Sequence, residues 1–189
     1  MVKLAHEIAR EQLTGKFPQD IIKNLDDIYK SRGECMTLVR LATFEDVPQL
    51  VQMRWDFSEE EYTNNTVTFE EFHQVCSGFL EKAIKSGDWY IWIAEVDGSL
   101  VSHMYLQLIH KVPRPGKSPD PYYGYVTNVY TRPAFRNQGI GSKIHSAMEK
   151  WSKENEVEFL ILWPSSDSVQ FYSRNGFSRC EEAMEKHWD

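Results

Sequence analysis

The sequence has few cysteines, no long apolar run and a deficit of basic residues. Its three cysteines, Cys35, Cys76 and Cys180, are widely separated and form no metal-binding spacing such as CxxC, which argues against a disulfide scaffold or a zinc module. No stretch approaches the roughly 18 apolar residues of a membrane span, and the N-terminus lacks the apolar core of a secretion signal. We therefore expect free thiols, no bound metal, no membrane partner and a cytoplasmic location.

The charge balance is acidic, with 28 Asp and Glu residues against 21 Lys and Arg residues and a net charge of −7. A non-specific nucleic-acid binder needs a basic surface to displace counterions from phosphates, so this composition argues against a nucleic-acid partner. An acidic balance suits a cationic substrate, although it also serves solubility alone. The length of 189 residues, 41% of them hydrophobic, is sufficient for one well-cored domain and an extension.

Residues 1–36 are predicted to form a helical extension in front of one domain at 37–189. Two apolar stripes at helical spacing flank Pro18, a residue that starts helices better than it continues them. The stripes consist of Leu4, Ile8, Ala9, Leu13 and Phe17, and of Ile21, Ile22, Leu25, Ile28 and Tyr29. Each stripe needs a surface to pack against. We interpret the extension as a packing or dimerisation element, and a homodimer is one expected form.

Hydrophobic periodicity and turn residues predict a domain that mixes strands and helices. Strands are predicted at 37–41, 89–96, 100–108, 123–130 and 158–163, with one or two more after residue 176. Helices are predicted at 47–57, 68–83, 141–154 and 166–174. The dipeptide Asp97-Gly98 indicates a hairpin. The strand, helix and strand over 123–163 imply a parallel pair with a right-handed crossover.

A glycine-rich turn, Arg136-Asn137-Gln138-Gly139-Ile140-Gly141, lies between a predicted strand and a predicted helix. The first N–H groups of a helix have no partner within it, and the helix dipole adds positive potential, so such a turn is suited to bind a phosphate. It is not a dinucleotide-binding GxGxxG fingerprint, because Ile144 stands where the third glycine is needed. The P-loop pattern GxxxxGK[ST] is absent as well.

Two motifs together resemble the signatures of the GNAT N-acetyltransferase superfamily. The stretch from Asn128 to Gly141 resembles the acyl-CoA-binding motif, RxxGxG after a strand, and the sequence Gln-Phe-Tyr-Ser-Arg-Asn-Gly-Phe at 170–177 resembles the second signature, FYxxxGF. The resemblance covers the chain from Thr37 to the C-terminus. It implies an α/β fold with a mixed, mostly antiparallel sheet that splays at a parallel pair between its fourth and fifth strands and is flanked by helices.

The resemblance also implies that acetyl-CoA is the co-substrate. In this family the pyrophosphate is held by the glycine-rich turn, which here implies Arg136, Asn137, Gln138, Gly139, Ile140, Gly141 and Ser142. The pantetheine arm runs beside the fourth strand in the family. Val129 and Thr131 are therefore implied to pair with it through their main chain, and the Val129 N–H is the implied oxyanion donor.

Tyr172 matches the tyrosine that protonates the coenzyme thiolate in this family. The alternative is an aromatic residue packed in the core, as we expect for Phe171, but the FYxxxGF context favours the catalytic role. The family resemblance implies no covalent intermediate. Cys76 and Cys180 have no neighbouring base in the sequence and are predicted to be buried, apolar thiols.

The general base and the acceptor site are less defined by the sequence. Tyr125 occupies the strand position at which some relatives carry a glutamate, so proton removal is expected to pass through water. His103 is interpreted either as a catalytic group or as a hydrogen-bonded strand histidine, and the acidic run at 59–61 as a solvated helix end. Arg54 and Asp56 either hold a carboxylate and an ammonium of the acceptor or face water.

We therefore expect transfer of an acetyl group from acetyl-CoA to a small-molecule or peptide amine, by direct attack in a ternary complex. Two alternatives remain open at this point. One is a regulatory module that binds acyl-CoA without turnover, against which the presence of Tyr172 argues. The other is a transferase that uses a longer acyl-CoA, because nothing in the sequence sets the length of the acyl chain.

Overall fold

A five-stranded sheet with helices on both faces forms the part of the chain that the computed structural model describes, residues 37–61, 66–116, 121–181 and 183–188. The predicted helical extension at 1–36, including Cys35, lies outside these residues. The strands are β1 (Leu38–Leu41), β2 (Trp89–Val96), β3 (Ser99–His110), β4 (Tyr122–Thr131) and β5 (Leu160–Ile161). The helices are α1 (Val47–Glu61), α2 (Phe69–Ser86), α3 (Ile140–Glu154) and α4 (Val169–Arg174), with 3-10 turns at Phe44–Asp46 and Pro133–Phe135.

The strands lie side by side in chain order, β1-β2-β3-β4-β5. The first three pairs are antiparallel, and β4 pairs with β5 in parallel after the crossover through α3. The mixed, mostly antiparallel sheet with a parallel pair at its end is confirmed. The hairpin at Asp97-Gly98 is also present, since β2 and β3 pair directly across it.

Alternation along the strands divides the core between the two faces of the sheet. On β2, Ile91 and Ile93 pack with α1 and α2, whereas Trp92 and Ala94 pack with α3. β3 is buried on both faces along most of its length, and its buried residues include the polar Ser102 and His103. The sheet therefore holds α1 and α2 on one face and α3 on the other.

Arg40 on β1 joins the start of α1 to β2. Its guanidinium donates to Asp46 at 2.7 and 2.8 Å and to Glu95 at 2.8 Å. Burial acts to raise the pKa of Asp46, but the hydrogen bonds from Arg40 and Thr43 hold that pKa below its usual range. Because a buried carboxylate without its partner is costly, this cluster fixes the position at which α1 begins.

Three predictions about the C-terminal third are wrong. The fifth strand spans only Leu160–Ile161 instead of 158–163, because its pairing with β4 stops after two residues. The described residues after Gly176 form no strand: this segment is polar and largely exposed, and Met184 and Trp188 are 97% and 81% exposed. Cys180 is therefore exposed and not buried, while Cys76 is half-buried as a free thiol.

Gly124 provides a test of packing where β4 meets β5. A Cβ at this position would lie 2.6 Å from Leu106 Cδ1 and 2.6 Å from Leu160 Cδ2, closer than carbon atoms approach. We expect Gly124→Ala to lower the free energy of unfolding by about 1–3 kcal/mol, measured by urea denaturation. Gly78→Ala on α2 is the control, because its Cβ would meet no atom within 4 Å. That variant should gain up to about 1 kcal/mol from helix propensity. Equal stability of the two variants would contradict the packing described here.

Candidate active site

The N-terminus of α3 carries main-chain N–H groups that no side chain caps. α3 begins at Ile140, and the first bond within it joins the Lys143 N–H to the Gly139 carbonyl at 3.1 Å. The preceding N–H groups therefore have no partner inside the helix. No acidic residue lies in the first turn, and Lys143 adds an exposed positive charge there. The start of α3 is consequently open to an anion.

Two residues with positive φ shape the loop in front of α3. Asn137 has a φ of 61° and Gly139 a φ of 76°, the left-handed conformation that Asn and Gly adopt at the least cost. Left-handed residues within such a turn bring successive N–H groups to one side, an arrangement that binds anions. The Gln138 side chain donates to the Ala134 carbonyl at 2.9 Å and so ties the loop to the preceding 3-10 turn.

The Arg136 side chain contacts β4 and α1. Its Nε donates to the Thr131 carbonyl at 2.8 Å, and its guanidinium pairs with Glu60 and lies over the Tyr130 ring. The Tyr130 hydroxyl donates to the same carboxylate at 2.6 Å. Burial acts to raise the pKa of Glu60, but these two hydrogen bonds hold it below its usual range. The Glu60 carboxylate already neutralises the Arg136 guanidinium. An anion at this loop would therefore be bound mainly by main-chain N–H groups.

The FYxxxGF motif forms α4 and its C-terminal cap. The Phe177 N–H donates to the Tyr172 carbonyl at 3.1 Å, and the Gly176 N–H donates to the Ser173 carbonyl at 3.2 Å. These are the two bonds of a Schellman cap, which requires a left-handed residue at the position of Gly176, whose φ is 87°. The glycine of the motif thus ends the helix that carries Tyr172.

The two sequence motifs meet in space. A Cβ at Gly141 would lie 3.5 Å from the Phe171 ring, so α4 lies directly against the first turn of α3. Tyr172 is 8% exposed and packs edge-on against Phe171 and Phe177. Burial raises the pKa of Tyr172 to about 12. Its hydroxyl is therefore protonated at neutral pH and able to donate a proton.

β4 carries a bulge at Asn128 and Val129. Tyr130 is paired with His103, but the next pair on the same strands is Thr127 with Tyr105, so β4 has one residue more than β3 between the two pairs. Asn128 has a φ of 45°, a left-handed conformation that is uncommon outside glycine and is most accessible to Asn and Asp. The extra residue changes the direction of the main chain at this point.

The sheet opens beside this bulge. β5 pairs with β4 only at Gly124 and Tyr125, so among the described residues the β5-facing edge of β4 has no strand partner from residue 126 onward. The Arg132 N–H donates to the Val101 carbonyl at 2.9 Å, which turns the main chain of Thr131 away from β3. Alternation along the strand predicts the same direction for the Val129 N–H.

His103 is completely buried next to the bulge. Its Nδ1 lies 2.8 Å from the Asn128 carbonyl oxygen, and its ring packs edge-on against Tyr105. Burial lowers the pKa of His103 to about 4, with smaller contributions from the nearby charges of Arg54 and Arg132. The imidazole is therefore neutral at pH 7. Its Nε2 is buried and has no hydrogen-bond partner among the described residues.

Arg54 and Asp56 lie on α1 in different environments. The Arg54 guanidinium is 5.2 Å from the centre of the Phe57 ring and acts electrostatically on His103. Asp56 accepts hydrogen bonds from Arg132 at 2.6 Å and from Gln52 at 2.8 Å. Asp56 is thus already paired with a cation of the chain, whereas Arg54 lies beside the buried histidine.

Tyr125 lies at the last residue pair before the sheet opens. Its ring packs edge-on against Trp163, 5.1 Å between centroids, and the Trp163 side chain is 57% exposed. The position that carries a glutamate in some relatives is thus occupied by an aromatic ring at the rim of the opening.

Sequence reasoning did not find the ion pairs of Arg132 with Asp56 and of Arg136 with Glu60. Each pair joins residues 76 positions apart, so no local sequence pattern predicts it. The bulge at Asn128 did have a local signal. An Asn within a run of strand-forming residues is unusual, and it favours the left-handed conformation that a bulge accommodates.

The described residues contain no group of three or more His, Cys, Asp or Glu side chains that could hold a metal ion. None of the helices in this part of the chain is long and apolar enough to cross a bilayer.

The burial of His103 predicts a pH dependence of stability. Its pKa is about 4 in the folded protein and about 6.5 in an unfolded chain, so unfolding takes up a proton between these values. The contribution of neutral His103 to the free energy of unfolding is fully present above pH 6.5. It decreases on acidification, by up to about 1.4 kcal/mol per pH unit. Burial also lowers the pKa of His145, which acts in the same direction. Urea denaturation from pH 7.5 to 5 should show a shallower slope for His103→Asn than for the parent protein. Identical slopes would contradict the neutral, buried state of His103.

The chain matches the model of the acetyltransferase (GNAT) family over residues 47–177. No curated protein sequence is significantly similar to it. Among solved structures, a predicted acetyltransferase with acetyl-CoA from Clostridium acetobutylicum is 22% identical and has a TM-score of 0.69, over 80% of this chain and 96% of that chain. A GCN5-related N-acetyltransferase from Ralstonia eutropha JMP134 is 21% identical and has a TM-score of 0.65, over 80% of this chain and 99% of that chain. Glucosamine-6-phosphate N-acetyltransferase from Arabidopsis thaliana is 20% identical and has a TM-score of 0.62, over 82% of this chain and 99% of that chain.

The mixed sheet that splays at a parallel pair, with an uncapped helix start beside the opening, defines the GNAT class of fold. The family model covers more than half of the chain and includes both sequence motifs. The protein therefore belongs to the acetyltransferase (GNAT) family.

Proposed function

We propose that the protein transfers an acetyl group from acetyl-CoA to an amine acceptor, by direct attack in a ternary complex. The observation that carries this proposal is the contact between the two motifs. The uncapped first turn of α3 lies directly against α4, which holds Tyr172. This contact supports the proposal, because it brings the element proposed to bind the coenzyme phosphates against the element that carries the proposed acid.

The glycine-rich loop is the proposed pyrophosphate site. The main-chain N–H groups from Asn137 to Ser142 donate to the phosphate oxygens, and the dipole of α3 adds favourable potential. Arg136 supports the loop through its bonds to Thr131 and Glu60. Binding through the main chain suits an anion shared by all acyl-CoA molecules, so this part of the site does not select the acyl group.

The open edge of β4 is the proposed site of the pantetheine arm. An added strand-like ligand pairs through main-chain groups that lack a strand partner, as those of Val129 and Thr131 do on the β5 side. The thioester carbonyl then lies at the bulge, where the Val129 N–H donates to its oxygen. Preorganised donors of this kind stabilise the negative charge that develops on the oxygen during attack.

The reaction proceeds by attack of a neutral amine on the thioester carbon. The C–N bond forms first and gives a tetrahedral intermediate, and the C–S bond then breaks to release the coenzyme thiolate. Tyr172, whose hydroxyl burial keeps protonated at neutral pH, donates its proton to that thiolate. Tyr125 occupies the strand position at which some relatives carry a glutamate base. Because no carboxylate stands at this position, the ammonium proton of the intermediate leaves through water.

The acceptor is a small-molecule or peptide amine that enters between α1 and the open end of the sheet. Asp56 is already paired with Arg132, so it is not a free anion for an ammonium of the acceptor. Arg54 is the remaining candidate on α1, and it would contact an anionic group of the acceptor. A cytoplasmic location suits a reaction that consumes acetyl-CoA and a chain whose described cysteines are free thiols.

A coenzyme-binding module without turnover is the alternative of another class. The aromatic ring of Tyr125 at the position of a strand glutamate favours it. Thiol release measured with acetyl-CoA and longer acyl-CoA donors, against a panel of polyamines, aminoglycosides, amino acids and peptides, separates the two functions and also identifies the donor.

A charge at Gly141 tests the pyrophosphate site. Gly141→Asp adds a carboxylate to the first turn of α3, where an acidic side chain favours the helix but repels a phosphate. We expect calorimetry to show coenzyme A binding at least tenfold more weakly. Gly141→Ala is the control, because its Cβ meets the Phe171 ring at an ordinary contact distance of 3.5 Å. Equal affinity of the Asp and Ala variants would place the pyrophosphate elsewhere.

Removal of one hydroxyl tests the acid. Tyr172→Phe keeps the ring that packs between Phe171 and Phe177 but cannot protonate the thiolate. Turnover should fall about 100-fold with little change in the Michaelis constant for acetyl-CoA. Tyr90→Phe is the matched control, since this tyrosine packs against Trp151 and not in the proposed site. If Tyr172→Phe keeps full turnover in pre-steady-state measurements, its hydroxyl is not the acid.

A further inference from the structure

His103 contacts the main chain of β4 at the bulge. Its Nδ1 lies 2.8 Å from the carbonyl oxygen of Asn128. A carbonyl oxygen only accepts hydrogen bonds, so Nδ1 carries the hydrogen and donates it. The imidazole is neutral and its other nitrogen, Nε2, is an acceptor without a partner among the described residues. The histidine therefore keeps one buried acceptor unsatisfied while it makes this one bond.

The carbonyl of Asn128 and the N–H of Val129 belong to the same peptide unit. That unit is planar and trans, so its C=O and its N–H point in opposite directions. A bond that holds the carbonyl at the His103 ring consequently holds the Val129 N–H on the side away from that ring. A hydrogen bond at the carbonyl also polarises the amide and strengthens its N–H as a donor.

The bulge makes this restraint necessary. Asn128 has a left-handed φ of 45°, and β4 has one residue more than β3 at this point, so the regular ladder does not fix the peptide. A strained main-chain conformation persists only where its surroundings determine it. Among the described residues, His103 supplies the side-chain hydrogen bond to this carbonyl.

We propose that His103 is a positioning residue that aims and polarises the Val129 N–H as the oxyanion donor. This role rests on the proposed function, because it assigns the thioester oxygen to that N–H. It acts through the Asn128 carbonyl and involves no contact between the imidazole and the substrate. Nothing in the family motifs points to it, since His103 lies on β3, outside both.

The surroundings of His103 argue against a role as the general base. Its ring is 0% exposed and packs between Tyr105 and Tyr130. The charged groups that face it are Arg54 of α1 and Arg132 after β4, both of which oppose protonation. A pKa near 4 makes the imidazole a weak proton acceptor at neutral pH.

Three variants separate positioning from packing. His103→Leu keeps the apolar volume and removes the donor, whereas His103→Asn places an amide N–H close to the position of Nδ1. Ser102→Ala is the matched control, because Ser102 makes a buried bond of 2.9 Å to the next carbonyl but one, that of Tyr130. Circular dichroism and urea denaturation establish that each variant is folded at the temperature of the assay.

The first measurement needs no acceptor. Infrared difference spectra of acetyl-CoA, labelled with ¹³C at the thioester carbonyl, report hydrogen bonds to that carbonyl in the binary complex. We expect the carbonyl stretch in His103→Leu to return toward its frequency in free acetyl-CoA. The stretch should stay at its bound frequency in the parent protein, in His103→Asn and in Ser102→Ala.

The second measurement is turnover on an acceptor found in the thiol-release panel. His103→Leu should lower kcat about tenfold, a part of the loss expected when an oxyanion donor is removed altogether. The Michaelis constant for acetyl-CoA should stay within about twofold, and His103→Asn should recover most of kcat. The acidic limb of the pH profile should be the same in the parent protein and in His103→Asn.

Each outcome decides between specific explanations. An unchanged carbonyl stretch and kcat in His103→Leu would overturn the positioning role and leave the transferase intact. Equal losses in His103→Asn and His103→Leu, with loss of the acidic limb, would make His103 a base instead. Failure of the parent protein to bind acetyl-CoA in calorimetry would overturn the proposed function and this role with it.

Discussion

The separation of β4 from β5 is the constraint on which the proposed site depends. The two strands pair at Gly124 and Tyr125 and then diverge, so the main-chain groups beyond lose the partner that a sheet normally provides. Main-chain polar groups away from water need partners, and a ligand that lies along the strand is one way to supply them. The start of α3 has the same property at its uncapped N–H groups. Both features leave main-chain groups without partners, and the proposed coenzyme would bind to both.

The glycine-rich loop and the cap of α4 were predictable because they depend on main-chain geometry that short motifs encode. Gly139 permits the left-handed turn, and Gly176 permits the left-handed residue that ends α4. Glycines at fixed spacing are readable in a sequence. The strands and helices around them were predicted well where apolar periodicity was strong, as in β2, β3 and α3, and poorly after Gly176, where polar residues carry no such period.

The ion pairs beside the loop and the contact of His103 were not predictable because they depend on side chains that meet across the fold. Asp56 and Glu60 come from α1, whereas Arg132 and Arg136 come from the end of β4 and the loop after it. His103 reaches a carbonyl 25 positions away. Such contacts follow from the register of β3 against β4 and from the bulge within it.

The two ion pairs of α1 have a consequence for how ligands affect each other. Asp56 and Glu60 lie one turn apart at the C-terminal end of the helix, and their partners flank the segment that leads into the glycine-rich loop. Any displacement of this helix end strains both pairs, and any displacement of the loop does the same from the other side. The free energy of that coupling is reciprocal by thermodynamic necessity. If the proposed acceptor shifts α1, it changes the affinity for the proposed coenzyme by the same factor by which the coenzyme changes the affinity for the acceptor.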